Sequence, residues 1–153
     1  MANLDDFQQA ILDAHNKLRS ERGVPALAWA TDIATTASNW AQNISEKGFL
    51  QNSDNQVLGE NILMTTEDLD GDHVVLKWLQ EENNYDYDNQ KWQKGTSRFT
   101  QMIWKASTEF GVAKVPLRNK DGFVIVANYR PRGNGNRPGE YQKNVPSRSD
   151  DTV

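Results

Sequence analysis

The sequence predicts an α+β fold in which helices cover an antiparallel sheet. Three observations support this prediction. Apolar residues recur at helical spacing in the first half of the chain, two runs rich in β-branched and aromatic residues follow later, and a turn-rich stretch separates these runs. Helices that precede paired strands are typical of α+β domains. The 153 residues suffice for a single domain with a buried core.

Three helices are predicted in the first half of the chain. The first is expected to have Asn3 as its N-cap and to stop at Gly23. The second is expected to end at Gly48, and the third to run from an N-cap at Asp72 to about residue 83. Their buried faces are predicted to comprise Phe7, Ile11, Ala14 and Leu18, then Ile33, Ala37, Trp40, Ala41 and Ile44, and then Val74, Val75, Trp78 and Leu79.

The second half of the chain is expected to contribute a β-hairpin. Residues 110–115 and 122–129 are rich in strand-forming side chains, and Asn, Asp and Gly lie between them. The segments 49–72 and 83–95 are polar and are expected to be irregular. The domain is expected to span residues 1–145, and the Pro-, Ser- and Asp-rich residues 146–153 are expected to form a disordered tail.

Composition excludes several classes of site and partner. The net charge of −4 and the scattered basic residues argue against nucleic acid, and no apolar run approaches the ~20 residues that cross a bilayer. The absence of cysteine excludes disulfides and thiol chemistry. Of the two histidines, His15 is expected to be buried against the backbone and His73 to be solvated. Residues 1–19 lack the features of a signal peptide, so the chain is expected to be cytosolic, or secreted with Met1 added to its mature form.

Four segments in order resemble the CAP superfamily of cysteine-rich secretory, antigen 5 and plant pathogenesis-related proteins. They are HNKLR (15–19), GENI (59–62), SRFTQMIWKAS (97–107) and VIVANYRPRGN (124–134). The cysteine-free, single-domain form looks most like the Golgi-associated animal members, and the stretch GEYQKNV resembles the end of fungal secreted sterol-binding members. The resemblance implies a three-layer α-β-α sandwich around a central antiparallel sheet, in agreement with the fold class predicted from the residues.

The resemblance also implies a central cleft with two glutamates and two histidines that can hold zinc or a similar ion. Glu60, in GENI, matches one glutamate, and Glu81 matches the other. The histidines do not match, because Arg98 precedes FTQ and Asn52 stands at the second histidine position. Neither a metal nor another cofactor is therefore expected here.

Arg98 is predicted to replace the metal ion in this cleft. Two carboxylates brought together without a metal would repel one another. A guanidinium offers a permanent positive charge and a fork of donors that suits carboxylates. The hypothesis is that Arg98 bridges Glu60 and Glu81, with Asn52 hydrogen-bonded nearby.

The resemblance implies a non-enzymatic binding module, because members of the superfamily are associated with sterol, fatty-acid or phospholipid binding, with defence and with signalling. A lipid needs an apolar groove with a few polar groups at its mouth. The candidate groove residues are Phe7, Ile11, Ile33, Val74 and Val75, which the sequence allows equally to be ordinary core.

Two alternative functions remain open from the sequence. A cleft hydrolase or protease would use Glu60 and Glu81 as an acid–base pair. A protein-interaction domain would act through the loop at 83–95, where Tyr85, Tyr87 and Trp92 could anchor a partner.

Overall fold

The computed structural model describes residues 4–147, which contain a central four-stranded sheet. Its strands are β1 (Ala28–Trp29), β2 (Gly59–Thr65), β3 (Glu109–Pro116) and β4 (Phe123–Arg130). Their order is β1-β3-β4-β2, and the pairing is antiparallel except for the short parallel pair of β1 and β3. The predicted hairpin is confirmed as β3 and β4. Most of the tail expected at 146–153 lies outside the described residues.

Strand β2 corrects the prediction that residues 49–72 are irregular. It pairs with β4 along its whole length, from Gly59 opposite Tyr129 to Thr65 opposite Phe123. The strand begins with Gly, Glu and Asn, which are poor strand formers, so local propensity does not reveal it. The ladder with β4 supplies the stabilisation that the local sequence lacks.

The helices are α1 (Asp6–Glu21), α2 (Thr31–Lys47), α3 (Gly71–Leu79), α4 (Ser97–Ile103) and α5 (Glu140–Asn144), with a 3-10 turn at Gln80–Asn84. The end of α2 at Gly48 is confirmed, and this glycine has a left-handed φ of 79°. The two predicted N-caps are wrong. Asp5 caps α1 because it forms a reciprocal capping box with Gln8, and Asp70 caps α3 by accepting the His73 N–H. Asn3 lies outside the described residues.

The helices form two layers around the sheet. Helix α2 covers one face, where its Ala37, Ala41 and Ile44 pack on residues that include Ile62, Val124 and Val126. Helices α1, α3 and α4 cover the other face, with Ile11, Val74, Trp78, Phe99 and Met102 packed against Phe110, Val112 and Tyr129. The predicted three-layer α-β-α sandwich is therefore confirmed.

Candidate functional site

A polar cleft of about 420 Å³ opens between the loop before β2, the first turns of α4 and the loop after β4. Asn52 and Glu60 line it, whereas Glu81 and Arg98 are not among its lining residues. The structure thus divides the four predicted cleft residues into two pairs. We call this concavity, between the 52–60 loop, α4 and the 132–134 loop, the polar cleft.

Glu60 fastens the wall of the polar cleft. It lies in β2 opposite Asn128, and both of its carboxylate oxygens accept hydrogen bonds from Ser53. The Ser53 N–H is 2.9 Å from Oε2, and the Ser53 hydroxyl oxygen is 2.6 Å from Oε1. Hydrogen bonds to an ionised acceptor are among the stronger ones. Glu60 therefore ties the loop before β2 to the sheet.

Glu81 lies in the 3-10 turn after α3 and caps the start of α4. Its Oε1 accepts hydrogen bonds from the backbone N–H groups of Arg98, at 3.0 Å, and Phe99, at 3.1 Å. Its Oε2 accepts a hydrogen bond from Arg98 Nε at 2.6 Å. A carboxylate at this position satisfies N–H groups that have no partner inside the helix.

Only one half of the predicted bridge is present. Arg98 pairs with Glu81, but among the described residues it forms no ion pair with Glu60. The Ser53 hydroxyl already donates a hydrogen bond to Glu60. The backbone N–H of Arg98 donates to Glu81, which places the Arg98 guanidinium beside Glu81 as well. Asn52 also departs from expectation, since its side chain forms no hydrogen bond to any of these groups within residues 4–147.

Gln101 forms the floor of the polar cleft. Its side-chain oxygen accepts the Gly133 N–H at 3.0 Å, and its Nε2 donates to the Ser107 hydroxyl at 3.1 Å. A Cβ added to Gly59 would lie 2.0 Å from the Gln101 Oε1. Only glycine fits there, because the amide needs the space that any side chain would fill. Sequence reasoning missed Gln101, although it belongs to the matched segment 97–107.

A buried polar chain runs behind the cleft. His15 Nδ1 is 2.8 Å from the Ile11 carbonyl oxygen, and its Nε2 is 2.6 Å from the Tyr129 hydroxyl. Because a carbonyl only accepts, Nδ1 carries the proton and Nε2 accepts from Tyr129. Asn61 Nδ2 donates to the Tyr129 hydroxyl at 3.3 Å and to the Arg98 carbonyl at 3.0 Å. The chain therefore connects α1 with the start of α4, and the predicted burial of His15 against the backbone is confirmed.

Burial sets the protonation states in this chain. It lowers the pKa of His15 to about 4 and raises the pKa of the Tyr129 hydroxyl, because charged forms are poorly solvated in the interior. His15 is therefore neutral at neutral pH, as its acceptor role requires. Asn61, in the matched segment GENI, was missed from the sequence, and the motif ANYR indicates only a packing and turn role for Tyr129, without its hydrogen bonds.

Most of the residues that form this site lie in the part of the chain that is similar to known proteins. Residues 12–129 match the cysteine-rich secretory protein family, CAP. The chain belongs to this family. Human Golgi-associated plant pathogenesis-related protein 1 is 31% identical over 142 residues, covering 91% of this chain and 92% of its own. Pathogenesis-related protein 1 of Arabidopsis thaliana is 36% identical over 129 residues, covering 84% and 79%. The secreted protein RBT4 of Candida albicans is 35% identical over 133 residues, covering 84% of this chain and 36% of RBT4.

Solved structures confirm the fold of this CAP domain. The crystal structure of NaASP2 with Zn²⁺ superimposes with a TM-score of 0.72 at 22% identity, covering 95% of this chain and 87% of the other. Schistosoma mansoni venom allergen-like protein 4 gives a TM-score of 0.69 at 21% identity, covering 88% and 97%. At these identities the similarity establishes the fold alone.

The donor set of this CAP domain does not fit a zinc ion. Arg98 is a permanent cation without an acceptor atom, and Asn52 offers a weaker ligand than the imidazole that zinc prefers. Both oxygens of Glu60 are already bound by Ser53. Within the described range 4–147, no three or more His, Cys, Asp or Glu side chains lie close enough to hold a metal together.

The predicted lipid-groove residues do not line a common groove. Ile11, Val74 and Val75 belong to the buried cluster between α1, α3 and the sheet. Ile33 lies in a different cluster, with Ala30 and Leu58 on the side of α2. Val75 does line the open groove between α1 and α3, but the five positions do not form one surface, because helical spacing marks a buried face without telling which side of the sheet it covers.

An open apolar groove of about 480 Å³ lies instead between α1 and α3. We call it the α1–α3 groove. Its apolar residues are Ala14, Leu18, Val75, Leu76 and Leu79, and its charged rim comprises Asp13, Lys17, Glu21 and Asp72. Leu76 is 54% exposed.

The aromatic residues of the 83–95 segment are mostly packed down. Tyr85 is buried and contacts Tyr87 and Phe99 edge-on, and the Tyr87 hydroxyl donates to Glu82 at 2.6 Å. Trp92 differs, since it is 50% exposed and lines the polar cleft. The predicted partner-binding loop therefore retains a single exposed aromatic side chain among its three.

The length and hydropathy of a helix decide whether it can span a membrane. Among residues 4–147, every helix is too short or too polar to pass through a bilayer.

Proposed function

We propose that this CAP domain is a non-enzymatic lipid-binding module and that the α1–α3 groove receives an acyl chain or a sterol. The observation that carries the proposal is the open apolar lining of this groove, which includes the exposed Leu76 and lies beside charged side chains. A groove of this character suits an amphipathic ligand, whose tail contacts the floor and whose headgroup meets the rim.

The proposal favours binding over catalysis because Glu60 and Glu81, the two glutamates of the predicted acid–base pair, are both already engaged in hydrogen bonds. Glu60 accepts two hydrogen bonds from Ser53, and Glu81 accepts three from the start of α4. A general base needs a lone pair that can reach a substrate proton, and an acid–base pair needs both carboxyl groups in one cleft. Glu81 does not line the polar cleft, which disfavours the hydrolase alternative.

The α1–α3 groove can be tested with Leu76→Glu. A carboxylate on the groove floor should weaken binding of a fluorescent fatty acid or a fluorescent cholesterol analogue at least tenfold, because it must be desolvated beneath an apolar ligand. Fluorescence titration of both probes distinguishes fatty-acid from sterol binding. Leu76 is already solvated, so the fold should be retained.

Val57→Glu is the matched control for that experiment. Val57 is 69% exposed and lies outside the α1–α3 groove, so its replacement should leave lipid affinity unchanged. If neither probe binds the wild-type protein, or if Leu76→Glu binds as tightly as wild type, the lipid proposal fails.

We further propose that the protein acts outside the cell. The secreted protein RBT4 supports this proposal, whereas the Golgi-associated human relative favours the alternative of a membrane-associated protein on the cytoplasmic side. Expression of the natural full-length gene with a C-terminal tag in its own host separates the two. Recovery from the culture medium supports secretion, and recovery with intracellular membranes supports the alternative.

A further inference from the structure

The polar cleft contains hydrogen-bonding groups that the fold itself does not use. Within the described residues, the side chains of Asn52, Asp54 and Ser97 form no hydrogen bonds, although each lines the cleft. Together they offer an amide, a carboxylate and a hydroxyl, and so both donors and acceptors. The volume of about 420 Å³ falls within the range of roughly 300–1,000 Å³ that is typical of small-molecule sites.

Trp92 adds a flat apolar surface to this polar lining. Its side chain is 50% exposed, while its backbone is anchored by an N–H hydrogen bond to Asn136 Oδ1 at 3.4 Å. The neighbouring Gln93 fixes the loop further, since its Nε2 donates to the carbonyls of Asp86 and Asn89, each at 3.0 Å. An exposed indole on an anchored loop loses little conformational entropy when it contacts a ligand.

The cleft walls are held in a defined shape before any ligand binds. Asp54 and Asn134 both line the cleft with a left-handed φ of 62° each, a conformation that asparagine and aspartate adopt more readily than other non-glycine residues. The Asn134 side chain bonds Thr100 and Ser97, and Arg132 Nη1 donates to the Asn55 carbonyl at 2.7 Å. These hydrogen bonds hold the loops on both sides of the cleft.

We propose that the polar cleft binds a neutral oligosaccharide, with one sugar ring stacked on Trp92. A pyranose ring has an apolar C–H face and a rim of hydroxyl groups that donate and accept. The indole matches the face, and Asn52, Asp54 and Ser97 match the rim. This ligand class differs from the lipid of the α1–α3 groove, with which the polar cleft shares no lining residue.

Charge selects a neutral sugar over a sulfated or uronic one. The cleft holds two carboxylates, Asp54 and Glu60, against one guanidinium, Arg132. The whole chain carries a net charge of −4. A polyanion would meet like charge both in the cleft and over the surface, whereas a neutral glycan would not.

The test uses cellohexaose, laminarihexaose and fully N-acetylated chitohexaose as neutral probes and a heparin-derived hexasaccharide as the anionic probe. Saturation-transfer NMR and tryptophan fluorescence measure binding. We expect at least one neutral probe to bind and the heparin fragment not to bind. Trp92→Ala should weaken the affinity at least tenfold, and Asn52→Ala severalfold.

Phe49→Ala is the matched control, because Phe49 is 55% exposed and lies outside the cleft. The glycan affinities of Phe49→Ala and Leu76→Glu should equal that of wild type. A loss of lipid binding in Leu76→Glu can therefore be distinguished from a loss of glycan binding in the cleft variants. Circular dichroism checks that each variant is folded. The proposal is overturned if no neutral probe binds, if the heparin fragment alone binds, or if Trp92→Ala and Asn52→Ala both bind as wild type.

Discussion

The polar cleft and the α1–α3 groove are concave surfaces of similar volume, but different features of the fold build them. The groove is formed by two helix faces in direct contact, and a Cβ on Gly71 of α3 would lie 2.3 Å from the Ile11 N of α1. The cleft is formed by loops and the start of α4, held by side-chain hydrogen bonds. Close packing therefore shapes the groove, and directional polar contacts shape the cleft.

The cleft is therefore expected to depend on the polar side chains whose hydrogen bonds connect the two surfaces. Arg19 and His15 project from α1, a wall of the groove, and their hydrogen bonds reach the segments that carry the cleft. Glu81 follows α3, the other wall of the groove, and caps α4. Removing these residues in turn tests whether the cleft depends on polar connections that the groove does not need.

The largest effect is expected from Arg19→Met. Arg19 is buried, and its guanidinium donates to the carbonyls of Pro25, Met102, Trp104 and Ser107 at distances of 2.7–3.0 Å. Methionine fills much of the volume but leaves several buried acceptors without a donor. We expect the free energy of unfolding to fall by about 4 kcal/mol, as measured by urea denaturation.

Lys17→Met is the control for Arg19, because Lys17 is exposed on the same helix. It should change the free energy of unfolding by less than about 0.5 kcal/mol. A similar stability for Arg19→Met and Lys17→Met would show that the carbonyls at the end of α4 find other partners.

The sequence predicted the groove helices better than the cleft. Apolar periodicity located α1, α2 and α3. It misplaced the N-caps of α1 and α3, which are Asp5 and Asp70, by two residues, and it extended α3 to about residue 83, whereas this helix ends at Leu79. Helical faces are local patterns that repeat every few residues, and they can be read from one segment at a time. The five candidate groove residues do not share one surface, because helical spacing does not give the relative positions of helices distant in sequence, although Val75 does line the α1–α3 groove.

The pairing of the cleft side chains was not fully predicted, because these contacts are long-range and irregular. Asn61 reaches the Arg98 carbonyl, 37 residues away, and no periodic pattern marks either residue. The resemblance to the CAP family identified Glu60, Glu81 and Arg98 as a group, but it could not show that Ser53 occupies Glu60. Motif similarity indicates which residues matter together, while their pairing depends on the geometry of this chain.

The second prediction concerns pH and the buried chain of His15, Tyr129 and Asn61. The pKa of His15 is about 4 in the folded protein, against 6.5 when it is solvated. Above the solvated value both states are neutral, so His15 adds no pH dependence. As the pH falls from about 6.5 to about 4, only the unfolded state takes up a proton, and the folded state loses up to roughly 3 kcal/mol of stability.

Urea denaturation at pH 7.5, 5.5 and 4.0 measures this loss in wild type and in His15→Phe. The difference between their slopes isolates His15 from the carboxylates that also titrate below pH 5. His73→Gln provides a control of opposite sign, because the hydrogen bond and charge of Asp70 raise the pKa of exposed His73, whose contribution is lost as the pH rises. Equal slopes in wild type and His15→Phe would contradict the prediction.

The smallest effect is expected at the ion pair itself, where the two partners should differ. Glu81→Ala leaves the N–H groups of Arg98 and Phe99 without their acceptor and should cost about 2 kcal/mol. Arg98→Ala keeps that cap and removes a guanidinium that is 44% exposed, so it should cost at most about 1 kcal/mol. Glu46→Ala, at a weak surface pair, is the control and should be near neutral.

Hydrogen exchange should accelerate at 97–103 in Glu81→Ala alone and stay unchanged in the groove helices. Equal losses for Glu81→Ala and Arg98→Ala would instead mean that the charge pair, rather than the helix cap, holds this side of the cleft.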